Sequence, residues 1–265
     1  MLCAATAINV AAWGWSAWIL GRPGTPLPDD VRATRRRLLW LSAVYVAGCG
    51  FRSVFPMVDV PRICLHDTWI SRIVVGRLIA TVAELSFALQ WVLLLREAGR
   101  AMGGGLATRV ARVLMPIIVV AELCSWGAVL STSYLLHAAE NSLWTLAAVL
   151  VVAGFASGWP HVDEARKRFL AAVIAGGASY ITFMTFVDVR MYLSRWRADL
   201  VAGREYLSMQ EGLREVLGRC IVTRGWTAWH EDAAWLSLYF TVAVWVSVAL
   251  AHVPPLEAAR RETGA

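Results

Sequence analysis

Lysine is almost missing from this chain: among 25 basic residues, Lys167 stands alone beside 24 arginines. A retinal protein needs a lysine inside its helices for the Schiff base, and Lys167 falls at the cytoplasmic start of an apolar stretch. No covalently bound retinal is expected. The five cysteines form no C-x-x-C pair and no zinc-finger spacing. No H-E-x-x-H segment, RNP-like motif or basic helix with interleaved aromatics occurs, so nucleic acid is not an expected partner. Charge is scarce as well, at 17% of residues. Soluble domains carry about 25%. The chain also lacks the repeated pair of Gly/Pro-broken segments that marks many carriers; Pro116 is the one proline in the middle of an apolar stretch.

What fills the space is apolar. Hydrophobic residues make up 58% of the 265, and the mean hydropathy is +0.56. A water-soluble fold has nowhere to put so much apolar surface. A hydrocarbon core of about 30 Å needs about 20 apolar residues per crossing. Seven stretches qualify: Leu2–Leu20, Leu38–Met57, Ile70–Leu95, Val110–Thr132, Leu143–Trp159, Phe169–Val187 and Ala233–Val253. The expected fold is therefore all-α, a polytopic bundle of seven transmembrane helices forming a single domain over residues 1–265.

Arginine sets the orientation. Arg22, Arg32 and Arg35 to Arg37 lie between the first and second stretches, and Arg96, Arg100, Arg109 and Arg112 between the third and fourth. Arg166, Lys167 and Arg168 separate the fifth from the sixth, whereas 133–142 holds no basic residue. Positive charge stays cytoplasmic, which predicts the N-terminus outside and a cytoplasmic tail over about 254–265. A cleaved signal peptide would need basic residues before its apolar run, and nothing before Arg22 is basic. An inner or plasma membrane is the expected location.

The loop after the sixth stretch, about 190–232, carries seven arginines and is expected outside, since long segments cross largely regardless of charge. Leu200, Tyr206, Leu207, Met209, Leu213, Val216 and Leu217 recur there at roughly helical spacing. They predict an amphipathic helix at the outer interface, with membrane lipids as its partner. Cys64 and Cys220 both fall in outer loops, so they are either joined or free. Trp13, Trp69, Trp144, Trp226, Trp229 and Trp235 are read as an aromatic belt near the outer ends.

Ionisable residues within spans cost about 2.5–3.5 kcal/mol each at mid-membrane, so each asks for a partner or a task. Arg77, Glu84 and Glu122 sit deep, and the two glutamates are expected to floor a polar cavity open to the outer face. Those three are the candidate catalytic residues. Arg52, Asp188 and Trp126 are candidate substrate contacts, the arginine suiting an anionic lipid or small anionic ligand. His66, Asp67, His137, Glu140 and His230 could hold Zn or Fe, or serve as acid/base groups. His137 and Glu140 are three apart, hence on one face if a helix begins there. The inner helix halves show no comparable polar set. A membrane-embedded enzyme acting on a lipid or other anionic substrate is the first expectation. A proton- or cation-coupled transporter using the mid-membrane carboxylates is the alternative, and a non-catalytic sensor or assembly subunit the third. The plainest reading of Arg77, Glu84 and Glu122 is a buried ion-pair network that fixes helix register.

Overall fold

The computed structural model describes residues 2–22, 28–101, 105–218 and 220–256. The chain is 83% helical. In order it runs α1 (Leu2–Gly21), α2 (Asp29–Val54), β1 (Met57–Val58), β2 (Ile63–Cys64), α3 (Ile73–Ala101), α4 (Leu106–Ser131) and α5 (Tyr134–Ala156). It continues with α6 (Glu164–Phe183), α7 (Val189–Ala202), α8 (Met209–Leu217), β3 (Ile221–Val222), α9 (Trp226–Leu238) and α10 (Val244–Ala249). Two π-helical segments, Met184–Asp188 and Tyr239–Ala243, join α6 to α7 and α9 to α10.

Among the described residues, five helices are long and apolar enough to cross a membrane: Leu2–Gly21, Ile73–Ala101, Leu106–Ser131, Tyr134–Ala156 and Arg166–Ala202. The apolar helix Leu236–His252 is shorter. Most of α2 follows the expected second stretch but starts nine residues earlier, after Pro28. Asp29 and Asp30 in its first turn and Arg52 in its last complement the helix dipole.

Contacts group the chain into two compact units. The first comprises 1–87, 129–132 and 206–252; the second comprises 88–128, 133–205 and 253–265. The tail residues 257–265, with Arg260 and Arg261, lie outside the described residues.

In the first unit, Tyr45, Val46, Cys49, Ala83, Phe240 and Val244 form one buried cluster. Gly48 lets α2 and α3 close together, since a Cβ there would meet the Ala83 methyl at 2.7 Å. Asn9, the polar intruder in the first apolar stretch, has a specific task. Its Nδ2 donates to the Phe240 carbonyl (2.7 Å), and its Oδ1 accepts from Trp245 Nε1 (3.0 Å). A π segment disturbs the regular carbonyl ladder, and Asn9 satisfies a group at that disturbance.

A second cluster of Met57, Cys64, Ile73, Val129 and Val216 underlies a small sheet of order β1-β2-β3. β1 pairs antiparallel with β2, placing Met57 opposite Cys64, and β2 pairs parallel with β3, placing Ile63 opposite Ile221. Cys64 and Cys220 are joined as a disulfide with Cα atoms 5.8 Å apart.

In the second unit the sixth helix does not stop at Val187. It passes through the π segment into α7 and ends at Gly203, whose left-handed backbone (φ 63°) caps it by donating to the Asp199 and Leu200 carbonyls. Residues 189–202, expected in the outer loop, are therefore helical. Arginine-rich sequence continues a helix readily, because arginine is a good helix former with a long, solvent-seeking side chain.

Candidate functional site

α5 begins at Tyr134, nine residues before the expected start, and so draws His137 and Glu140 into its first two turns. Three-residue spacing puts them on one face. His137 Nδ1 lies 3.0 Å from Glu140 Oε2, and both side chains are buried. Asp188 ends the π segment that leads into α7, and it is buried as well. Asp188, Tyr192, Arg195 and Asp199 follow at intervals of four, three and four residues, which makes them one stripe along α7. The stripe meets α5: the Tyr192 ring stacks on the His137 ring with centroids 5.0 Å apart. Asp188 lies within electrostatic range of Glu140, His137 and Arg195. The Arg195 guanidinium sits over the rings of Tyr134 (5.7 Å) and Tyr192 (6.0 Å). Arg204, held by Asp199 at 2.8 Å, approaches Tyr134 from 5.4 Å. The result is one histidine, three carboxylates, two tyrosines and two arginines gathered in a single unit.

The first unit holds a second polar set. Arg77 Nη2 donates to Glu84 Oε2 at 2.7 Å across two turns of α3, with both side chains buried. Tyr239 Oη reaches Glu84 Oε1 at 3.5 Å, the long limit for such a bond. The Tyr45 phenol neighbours Cys49, Glu84 and Tyr239. Glu122 is buried on α4 in the second unit.

Arg52 Nη2 donates to the Met57 carbonyl at 3.2 Å. Trp126 is half-buried on α4. The five candidate metal ligands do not assemble into a centre. Among the described residues no three His, Cys, Asp or Glu side chains are placed to hold an ion. His66 sets its ring edge-on to Phe55, Asp67 is exposed, and exposed His230 places Nδ1 2.9 Å from the Thr227 carbonyl. The spacing of His137 and Glu140 is satisfied by their bond to each other.

Other expectations are corrected too. Trp13 is no end-of-helix residue; it sits mid-helix and donates from Nε1 to the Leu39 carbonyl. Trp229 is buried and donates to the Thr223 carbonyl, while Trp69 and Trp226 are exposed. The side chains of Glu231 and Trp235 lie outside the described residues. Buried polar groups also occur elsewhere on the helices. Arg35, Glu97 and Arg166 are buried, Glu97 Oε1 accepting from the Leu256 backbone (3.1 Å) and Arg166 Nε donating to the Pro255 carbonyl (2.6 Å).

Arg62 is a residue the sequence did not single out. Its backbone is left-handed (φ 65°), and its buried guanidinium donates to the Val129 carbonyl (2.9 Å) and the Leu130 carbonyl (3.3 Å). A cation on the last carbonyls of α4 is where the helix dipole favours one. It also pairs with Glu215 of α8. Burial lowers the Arg62 pKa, and Asp59 opposes that by raising it. Tyr192 and Arg195 fall in the segment that the arginine-rich sequence assigns to the outer loop, so the sequence does not single them out.

No family model matches this chain, and no similar protein was found among the curated sequences or the solved structures.

Proposed function

We propose that the chain is a membrane-embedded enzyme that performs acid–base chemistry at its non-cytoplasmic face on a lipid or another anionic substrate. The bond between His137 and Glu140, beside Asp188, carries this reading. With the Nδ1 proton donated to the Glu140 carboxylate, Nε2 keeps its lone pair and serves as a general base. Asp188 then stabilises the imidazolium formed when that base takes a proton. Arg195 supplies a planar cation for a phosphate or carboxylate. π segments are frequent at functional sites, and this one ends at Asp188.

Depth supports the assignment. Asp188 lies 22 residues beyond Arg166, about 33 Å along the helix and so close to the thickness of the hydrocarbon core. The orientation proposed is seven crossings with the N-terminus outside, in an inner or plasma membrane. Two independent arguments favour it. The arginines concentrate in alternate loops, and the Cys64–Cys220 bond joins two segments which that rule puts outside, where disulfides persist.

The test is lipid turnover in proteoliposomes of bacterial polar lipid, followed by mass spectrometry. The expected result is time-dependent loss of one anionic species, abolished by His137→Gln and by Glu140→Gln. Unchanged lipid and head-group pools with the unmodified protein would sink the proposal.

A second reading rests on Arg77, Glu84 and Tyr239. A buried carboxylate with a phenol at 3.5 Å is a step in a proton path, and transporters place such groups near mid-membrane. Proton flux into liposomes that drops with Glu84→Gln but survives His137→Gln favours it over the enzyme. Glu122→Gln is tested alongside, as the other deep carboxylate.

A further inference from the structure

α8 is built more firmly than a surface loop requires. Ser208 accepts from the Glu211 backbone, and the Glu211 side chain accepts in return from the Ser208 backbone (2.9 Å), completing a capping box. Leu207 donates its backbone N–H to the Ser131 carbonyl (3.1 Å). Gly212 touches the end of α4 so closely that a Cβ would lie 1.9 Å from the Leu130 carbonyl oxygen. Arg62 links Glu215 to the same helix end, and the disulfide fixes the chain three residues beyond the helix.

This firm seating leaves an apolar strip bare. At about 100° per residue, Gly212 and Val216 define the sector that enters the protein. Met209, Leu213 and Leu217 occupy the adjoining arc of about 80°. They are 57%, 49% and 47% exposed. Gln210 and Arg214 follow on the next arc. A helix with one side in protein, the next side bare and apolar, and the third polar fits the corner between a membrane protein and a bilayer surface. The place agrees. α4 has 26 residues, about 39 Å of helix, so its Ser131 end emerges in the head-group layer, and α8 rests on that end. Trp69 and Trp226, each about 70% exposed in the same unit, suit that depth.

The charges select the lipid. Glu211 is engaged by Ser208 and Glu215 by Arg62, whereas Arg72, Arg214 and Arg224 are exposed. We propose that α8 lies in the head-group layer where α4 ends, its Met209–Leu213–Leu217 strip among the acyl chains and Arg214, with Arg72 and Arg224 of the same unit, against acidic lipid phosphates. The proposal rests on the bilayer crossing of α4 and not on the acid–base site.

The test uses the full chain with Cys3→Ser and Cys124→Ser, the disulfide intact, and one spin label at Met209→Cys, Leu213→Cys, Arg214→Cys or Val119→Cys. Each protein is reconstituted into phosphatidylcholine vesicles with and without phosphatidylglycerol. Labels at 209 and 213 are expected to collide several-fold more with oxygen than with a water-soluble nickel chelate, and the label at 214 the reverse. Phosphatidylglycerol is expected to deepen the first two. Nickel access at all three sites overturns the proposal in favour of a solvated helix. Exclusion of both reagents at 209 and 213 overturns it in favour of a protein partner or second copy. Equal depth in both vesicles overturns the acidic-lipid preference. Nickel access at Val119, an exposed mid-α4 position, removes the crossing on which the proposal stands.

Discussion

Arg77 and Glu84 are the residues whose partnership the sequence showed most openly. A seven-residue interval returns to the same helical face after two turns, and an extended arginine covers the rise of about 10 Å. A buried ion pair is weak support for stability, yet breaking it leaves one charge uncompensated, at a cost of about 3–5 kcal/mol. Glu84→Gln is therefore expected to lower the unfolding temperature in detergent substantially. The double variant Arg77→Leu/Glu84→Leu should recover most of that loss, because it removes both charges. A double variant as unstable as the single one would argue against this pairing as the source of the effect. Arg62 was not legible in this way. Its partners at Val129 and Leu130 are 67 and 68 positions away, and no local spacing announces a bond to carbonyls so remote.

Among the elements, α7 and α8 show where a reading by composition falters. Asp188, Tyr192, Arg195 and Asp199 carry a helical interval that was visible throughout, but the arginines between them suggested a loop. A helix that has already formed extends at little cost until a residue such as Gly203 turns it off. α8 is signalled more locally, by Ser208 three residues before Glu211. The Ser208 hydrogen bonds hold the exposed Glu211 carboxyl below its ordinary pKa of 4.5. Its folded-state value lies under the unfolded one, so its contribution is present above the unfolded pKa and fades as pH falls through the folded value. Hydrogen exchange of the α8 amides, corrected for intrinsic rates, should show protection falling from neutral pH into that acidic range. Glu211→Gln should be less protected at neutral pH and lack this response. A variant that follows pH as the unmodified chain does would remove the capping carboxylate as the cause. Gly212→Val gives a harsher check: its side chain collides with the Leu130 backbone, so α8 should become the first site of limited proteolysis.

For the whole molecule, the disulfide is the most accessible prediction. Denatured without reductant, the protein should expose three reactive thiols (Cys3, Cys49 and Cys124), and five after reduction. Five thiols before reduction in protein taken from an oxidising compartment would show that the two loops are not joined. The closed loop spans 156 positions, the kind of long closure for which a cross-link most restricts the unfolded chain. The all-α class and the apolar helices followed from composition and run length alone, because a bilayer accepts only segments that satisfy their own backbone groups. Which polar residues meet was another matter. His137 and Glu140 could be paired from their spacing once the start of α5 was known. Their company with Asp188, Tyr192 and Arg195, and the seating of Arg62 on α4, depended on chain segments far apart in sequence. Local periodicity reports which face a residue occupies; only packing decides what that face meets.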